Sequence, residues 1–112
     1  MAVSVNASGS QTATIGTEHT LATVTAAGIY ILAVDIAAFA AGDIVELRIY
    51  GKARSTDTER LLFGPESYGP IVPGQLLVYS VPVVSPHSSR FSLKQTNGTG
   101  RAFPWAVYST GA

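Results

Sequence analysis

The chain contains no cysteine, which excludes a disulfide framework and thiolate metal sites. It is also short of charge. Charged residues make up 12% of the 112 positions, against about 25% in an average soluble protein. The hydrophobic fraction of 46% is ordinary, so uncharged Ser, Thr, Ala and Gly stand where charge is missing. A monomer exposed on all sides normally carries more charge for solubility. Either a partner covers part of this surface, or a Ser/Thr-rich surface keeps a monomer in solution. Seven Lys and Arg balance seven Asp and Glu to a net charge of zero, and no basic run occurs. Nucleic-acid binding draws most of its affinity from neutralising phosphates, so no nucleic-acid partner is expected. Long apolar runs are missing too. The most apolar stretch, Ile29 to Ala41, is broken by Asp35 and falls short of the roughly 20 residues of a spanning helix. The opening MAVSVNASGS has no charged segment followed by an apolar one. It does not read as a signal peptide, and synthesis in the cytoplasm without membrane association is expected.

What is present is a succession of short β-type runs separated by turn residues. The length suits one domain. Met1 to Ser8 are small and polar and predict an N-terminal arm over residues 1–8, frayed or docked on a neighbour, ahead of a single domain over residues 9–112. Runs of strand character cover Ser10–Ile15, His19–Thr25, Gly28–Asp35, Ile44–Lys52, Arg60–Phe63, Gln75–Val84, Arg90–Thr96 and Arg101–Ser109. Side chains alternate across a strand, so Tyr30, Leu32 and Val34 share one face, as do Val45, Leu47 and Ile49. Leu77, Tyr79 and Val81 form another such set, and Phe103, Trp105 and Val107 a fourth. Ile36–Gly42 reads as a single helical turn, with Phe39 plugging the end of the core. The prolines and glycines of Gly64–Gly74 predict irregular structure. Pro82 and Pro104 mark edges or bulges. The sum is an all-β, antiparallel β-sandwich, jelly-roll-like, with about eight strands; a seven-stranded immunoglobulin-like sandwich is the alternative. The expected core is Leu32, Val34, Val45, Leu47, Ile49, Phe91, Leu93, Trp105 and Val107.

Catalytic patterns are weak. His87 could be combined on paper with Asp35 or Asp43 and one of many serines, but geometry defines a triad, and no G-x-S-x-G occurs. Asp57 and Glu59 share a loop, and two carboxylates do not make a metal site. Gly98-Thr99-Gly100 reads as a hairpin turn, without the rest of a dinucleotide fingerprint. No enzyme activity, catalytic residue, metal or cofactor is expected. Tyr50, Tyr68, Tyr79, Trp105 and Tyr108 could serve as stacking platforms for sugars, which makes a carbohydrate-binding or adhesion module the alternative function. Aromatic side chains favour interfaces and charge is scarce, so the leading expectation is a protein that adheres to other protein surfaces. Val3 and Val5 as arm anchors and Tyr50 and Tyr79 on the sheets are the contact candidates.

Three stretches carry a family resemblance: SQTATIGTEHTLATVTAAGIYILAVD, AAGDIVELRIYGKAR and SLKQTNGTGRAFPWAVYS. Their succession resembles small virion proteins of tailed bacteriophages of the head decoration or cement type. The resemblance runs from about Gly9 to Ser109 and is weakest over Gly64 to Gly74. It implies a structural protein on the outside of the capsid, bound to the major capsid protein. It also implies a homo-oligomer, preferably a trimer, that braces capsomers against internal pressure.

Overall fold

Side-chain alternation is the force that sorts this chain into two layers. The structure is a computed structural model, and it describes residues 3–40, 42–69 and 77–110. Its strands are β1 (Val3–Thr12), β2 (Glu18–Val24), β3 (Gly28–Asp35), β4 (Ile44–Gly51), β5 (Arg60–Tyr68), β6 (Leu77–Tyr79), β7 (Val83–Ser85), β8 (Ser89–Asn97) and β9 (Ala102–Thr110). A front sheet has the order β1-β9-β3-β6, with β7 also on β3, and a back sheet has the order β2-β8-β4-β5. All the pairings are antiparallel. If β6 and β7 are counted as one interrupted strand, first pairs with last, second with second-last, third with the sixth and fourth with fifth. That is one long hairpin. Rolling it up adds the β9–β3 and β8–β4 pairs and splits it into two layers, the jelly-roll arrangement.

The core lies between the layers. Leu32, Val34, Val45, Leu47, Ile49, Phe91, Leu93, Phe103 and Val107 are fully buried there, with Tyr30, Ile36, Val78 and Val83. Each side chain of this size contributes roughly 1.5–3 kcal/mol when fully buried. Tyr30 stays satisfied because its hydroxyl donates to the Ala26 carbonyl at 2.6 Å. Its ring meets Phe91 edge-on at 6.3 Å. Trp105, expected in the core, is only partly buried; its indole lies against Gly9 on the neighbouring strand.

Four expectations change. Residues 3–8, read as an arm, belong to β1, which pairs with β9 from Val3↔Thr110 to Thr12↔Ala102. Backbone pairing needs no large side chains, so a run of Ser, Asn, Ala and Gly is held by its partner strand. Met1 and Ala2 lie outside the described residues. The helical turn over Ile36–Gly42 is replaced by turns closed by Phe39 N–H to Ile36 O and Asp43 N–H to Ala40 O, and the Asp35 carboxylate takes the Ala37 amide at 2.8 Å; Ala41 is outside the described residues. Phe39 packs edge-on to Phe103 at 5.6 Å, at the end of the core. Strand β5 runs on through Gly64 to Tyr68 across two register shifts against β4. Gly64 has φ +93° and sits so close to the Leu47 carbonyl that a Cβ would collide with it. Pro65 is tolerated because β5 is an edge strand. The rest of the Gly64–Gly74 irregular reading, over residues 70–74, is outside the described residues, as are residues 75 and 76 of the Gln75–Val84 strand. The remainder of that strand breaks into β6 and β7. Ser80 bridges the gap: its hydroxyl accepts from Leu32 N–H and donates to Val81 O, and its own N–H donates to Leu32 O.

Candidate interaction surface

The outer face of the front sheet is built from the residues that alternate away from the core. Across the four strands the register lines up Val3, Thr110, Ile29 and Val84 in one row. Val5, Tyr108 and Ile31 form the next row, and Ser8, Ala106, Ala33 and Tyr79 the third. Val84 is 70% exposed, Val3 65%, Val5 61% and Tyr79 54%. The rings of Tyr79 and Tyr108 lie 6.3 Å apart. Of all charged residues in the chain, only Asp35 belongs to a strand of this sheet. A cleft of about 180 Å³ on this face is lined by Ala33, Asp35, Leu77, Pro104, Ala106 and Tyr108, among others. The face is a contiguous set of apolar and small side chains on a hydrogen-bonded support. Such exposed patches mark interaction sites.

The back sheet has the opposite chemistry. Glu18 accepts from the Tyr50 hydroxyl at 2.7 Å and the Ser92 hydroxyl at 2.6 Å. Arg90 pairs with Glu59 at 2.9 Å, donates to Thr20 at 3.0 Å and lies 4.1 Å over the Tyr50 ring. Arg48 pairs with Glu46 at 2.9 Å. Burial works against the charge on Glu18, but the bonds from Ser92 and Tyr50, with Arg48 and Arg90 nearby, outweigh it and hold the carboxyl below its ordinary range. The Tyr50 phenol is pushed up, first by its bond to Glu18 and then by burial. Burial works against the charge on Arg90 as well, but the bond to Glu59 and the acids around it hold it more firmly protonated than usual. The network pairs Glu18, Glu46, Glu59, Arg48 and Arg90 among themselves and leaves a polar face, in which Arg48 Nη1 is buried without a hydrogen-bond partner.

One end of the sandwich is closed by two buried polar residues. Asp43, 0% exposed, accepts from Ala40 N–H at 2.9 Å, Arg101 Nε at 2.9 Å and Thr99 N–H at 3.3 Å. Gln95 donates to Asn97 O and Thr99 O and accepts from Arg101 N–H. These bonds shape the 97–101 turn.

The four contact candidates separate. Val3, Val5 and Tyr79 come together on the outer face of the front sheet. Tyr50 lies on the opposite layer, engaged by Glu18 and Arg90. Of the other tyrosines weighed for stacking, Tyr108 joins Tyr79, while Tyr68 pairs with Val45 on the back sheet. Sequence reasoning missed Ile29, Ile31 and Val84. The signal was available: GIYILAVD is apolar at both odd and even positions, the mark of a strand covered on both faces. His19 accepts from Thr14 N–H at 3.1 Å and His87 bonds the Ala53 carbonyl at 3.2 Å. Asp57 and Glu59, which share a loop, are each taken up by a different arginine, Arg54 and Arg90. Among the described residues no group of three or more His, Asp or Glu side chains is placed to hold a metal ion. Comparison with protein-family models, with curated proteins and with solved structures yields no match, so the reading of this surface rests on where its own side chains stand.

Proposed function

We propose that this chain is a structural, non-catalytic virion protein that binds the exterior of a phage head and braces its major capsid protein through the outer face of the front sheet. The observation that carries the reading is the four-strand apolar face with a single carboxylate. Interface centres are depleted of charge and enriched in aromatic residues; Tyr108 stands on the interior strand β9 of this face, and Tyr79 of the edge strand β6 lies beside it. A sheet face is pre-ordered, so docking costs little side-chain or loop ordering. A protein that binds only the assembled shell shifts it away from disassembly by mass action. The resemblance described above supplies the shell as the partner.

The test is co-sedimentation with expanded heads, followed by heat disruption. Wild-type protein is expected to bind and raise the disruption temperature. Val84→Lys and Tyr79→Lys, both at exposed positions of the front face, are expected to lose binding while folding normally. Thr23→Lys, exposed on the back sheet, is expected to bind as wild type. Binding unaffected by the front-face changes refutes this docking face, and absence of binding by wild type refutes the cementing role. The Tyr79–Tyr108 pair beside the Asp35 cleft favours one second reading, glycan capture by stacking on the rings. A glycan array giving binding that disappears in Tyr108→Ala is the result that would select it.

A further inference from the structure

Among the described residues the sandwich has four strand edges, and three of them carry devices that block pairing with another chain. The β6–β7 edge is two strands of three residues each, separated by a gap that holds Pro82. The β5 edge has two register shifts, Pro65 and the charges of Arg60 and Glu66. The β2 edge has a register shift and Glu18. Short length, proline, bulges and charge are the means by which sheet edges avoid other chains. The fourth edge, β1, is ten residues long and has no charge and no proline. Its single irregularity lies between Val5 and Ala7, and Ala7 to Thr12 pair regularly with β9. None of the described strands pairs with its outer side. Half of the backbone N–H and C=O groups of Ala7–Thr12 therefore point away from β9. Apart from Gln11 the side chains there are small, and Ser8 and Ser10 are exposed.

We infer that this edge is a self-association site at which β1 of one copy pairs antiparallel with β1 of a second copy. The occupant follows from the other edges. Joining β1 to a different edge would extend into rings or fibres and needs a second receptive edge. The other three edges are blocked. Pairing β1 with itself is isologous and closes at two copies. No register opposes like charges, because β1 has none. The product is a front sheet of doubled width, with the apolar faces of both copies continuous across the join. This two-fold pair stands in place of the trimer that the resemblance implies. It goes beyond the capsid reading and does not depend on it.

Sedimentation equilibrium of the full chain at tens of micromolar is expected to give twice the 11.7 kDa of one chain. The double change Ser8→Lys with Ser10→Lys sets like charges across the join and is expected to give a single-chain mass. Val84→Lys, on the same face at the far edge, is expected to keep the dimer while losing capsid binding. Hydrogen exchange of the unmodified protein supplies a measurement independent of any variant. Amides of Ala7–Thr12 that point away from β9 are expected to be protected at tens of micromolar and released on dilution to nanomolar. A monomer or trimer of the unmodified chain overturns the inference. So does a dimer that survives the double change or is lost in Val84→Lys, and so does exchange of those amides at the solvent rate in the concentrated sample.

Discussion

Replacing Asp43 by Asn is the sharpest probe of how this sandwich is closed. The carboxylate is fully buried and its two oxygens take three donors: Ala40 N–H and Arg101 Nε on Oδ2, Thr99 N–H on Oδ1. An amide of the same shape keeps one oxygen. With that oxygen facing Ala40 and Arg101, the Ala40 bond loses its charge assistance and the Arg101 bond loses its ion pair, about 1 kcal/mol each. The new NH2 then faces the Thr99 amide, leaving that donor without its acceptor at a cost of about 1 kcal/mol or more. The sum is about 3 kcal/mol, a large part of the 5–15 kcal/mol typical of a domain. For 112 residues at about 2.1 cal/mol/K per residue, it lowers Tm by about 13 °C. Urea unfolding at pH 7 should show the midpoint falling with the slope unchanged. The pH dependence adds a second check. Burial alone would raise the Asp43 pKa, but the Ala40, Arg101 and Thr99 bonds and the Arg101 charge outweigh it and depress it. A depressed carboxyl contributes stability that is complete above its unfolded value of about 4 and is lost as pH falls through the folded value. The gap between wild type and Asp43→Asn must therefore narrow below about pH 4. A gap of under 1 kcal/mol at pH 7, or one that is the same at pH 7 and pH 2, would falsify this account.

Three further outcomes follow from the same geometry. Gly98→Ala strains a residue at φ +93° and drives its Cβ into Asp43; the left-handed conformation alone costs about 1–2 kcal/mol, and calorimetry should show at least that loss. Phe91→Ala empties a fully buried site next to Tyr30 and is expected to cost about 3–5 kcal/mol by urea unfolding. Tyr50→Phe removes one of the two hydroxyl donors that help hold the Glu18 carboxyl low, so NMR titration should find the Glu18 pKa moved up toward its ordinary value, with no change in fold.

The fold was legible wherever a strand faces a large core residue on every second position. β3 and β4 show this, and the eight fully buried side chains expected at Leu32, Val34, Val45, Leu47, Ile49, Phe91, Leu93 and Val107 follow from that period alone. The first part of β1, residues 3–9, was illegible for a physical reason: its order comes from backbone bonds to β9, and those leave no trace in side-chain type. Trp105 fell outside the closed core because strand parity sets direction without setting depth. The candidate surface was half legible. Alternation set Leu77 and Tyr79 on one face, and both are exposed on β6, while Val81 falls in the gap between β6 and β7; it also turned Tyr50 away from the core. It could not tell that Tyr50 and Tyr79 belong to opposite layers, because sheet membership is decided by pairings between distant segments. The Asp43 and Gln95 closure was hidden for the same reason: each residue acts on a turn brought to it by the roll of the hairpin.

The pairing of Val3 with Thr110 also sets a schedule. The central strand of the front sheet, β9, stands between β1 and β3 and is the last of the nine to leave the ribosome. At about 5–20 residues per second, β1 waits on the order of ten seconds for its partner. Pairings between such distant segments are also slow to form once the chain is free, on a millisecond-to-second scale. A strand that waits unpaired is exposed to its neighbours on other nascent chains, and apolar runs of high β propensity then aggregate. Val3 and Val5 are the only large apolar residues of β1; the remainder is Ser, Asn, Ala, Gly, Gln and Thr. Such a strand has little power to associate alone and becomes an adhesive edge only once β9 backs it. Delay and composition are matched: the segment that stays unpaired longest is the one least able to misuse the time.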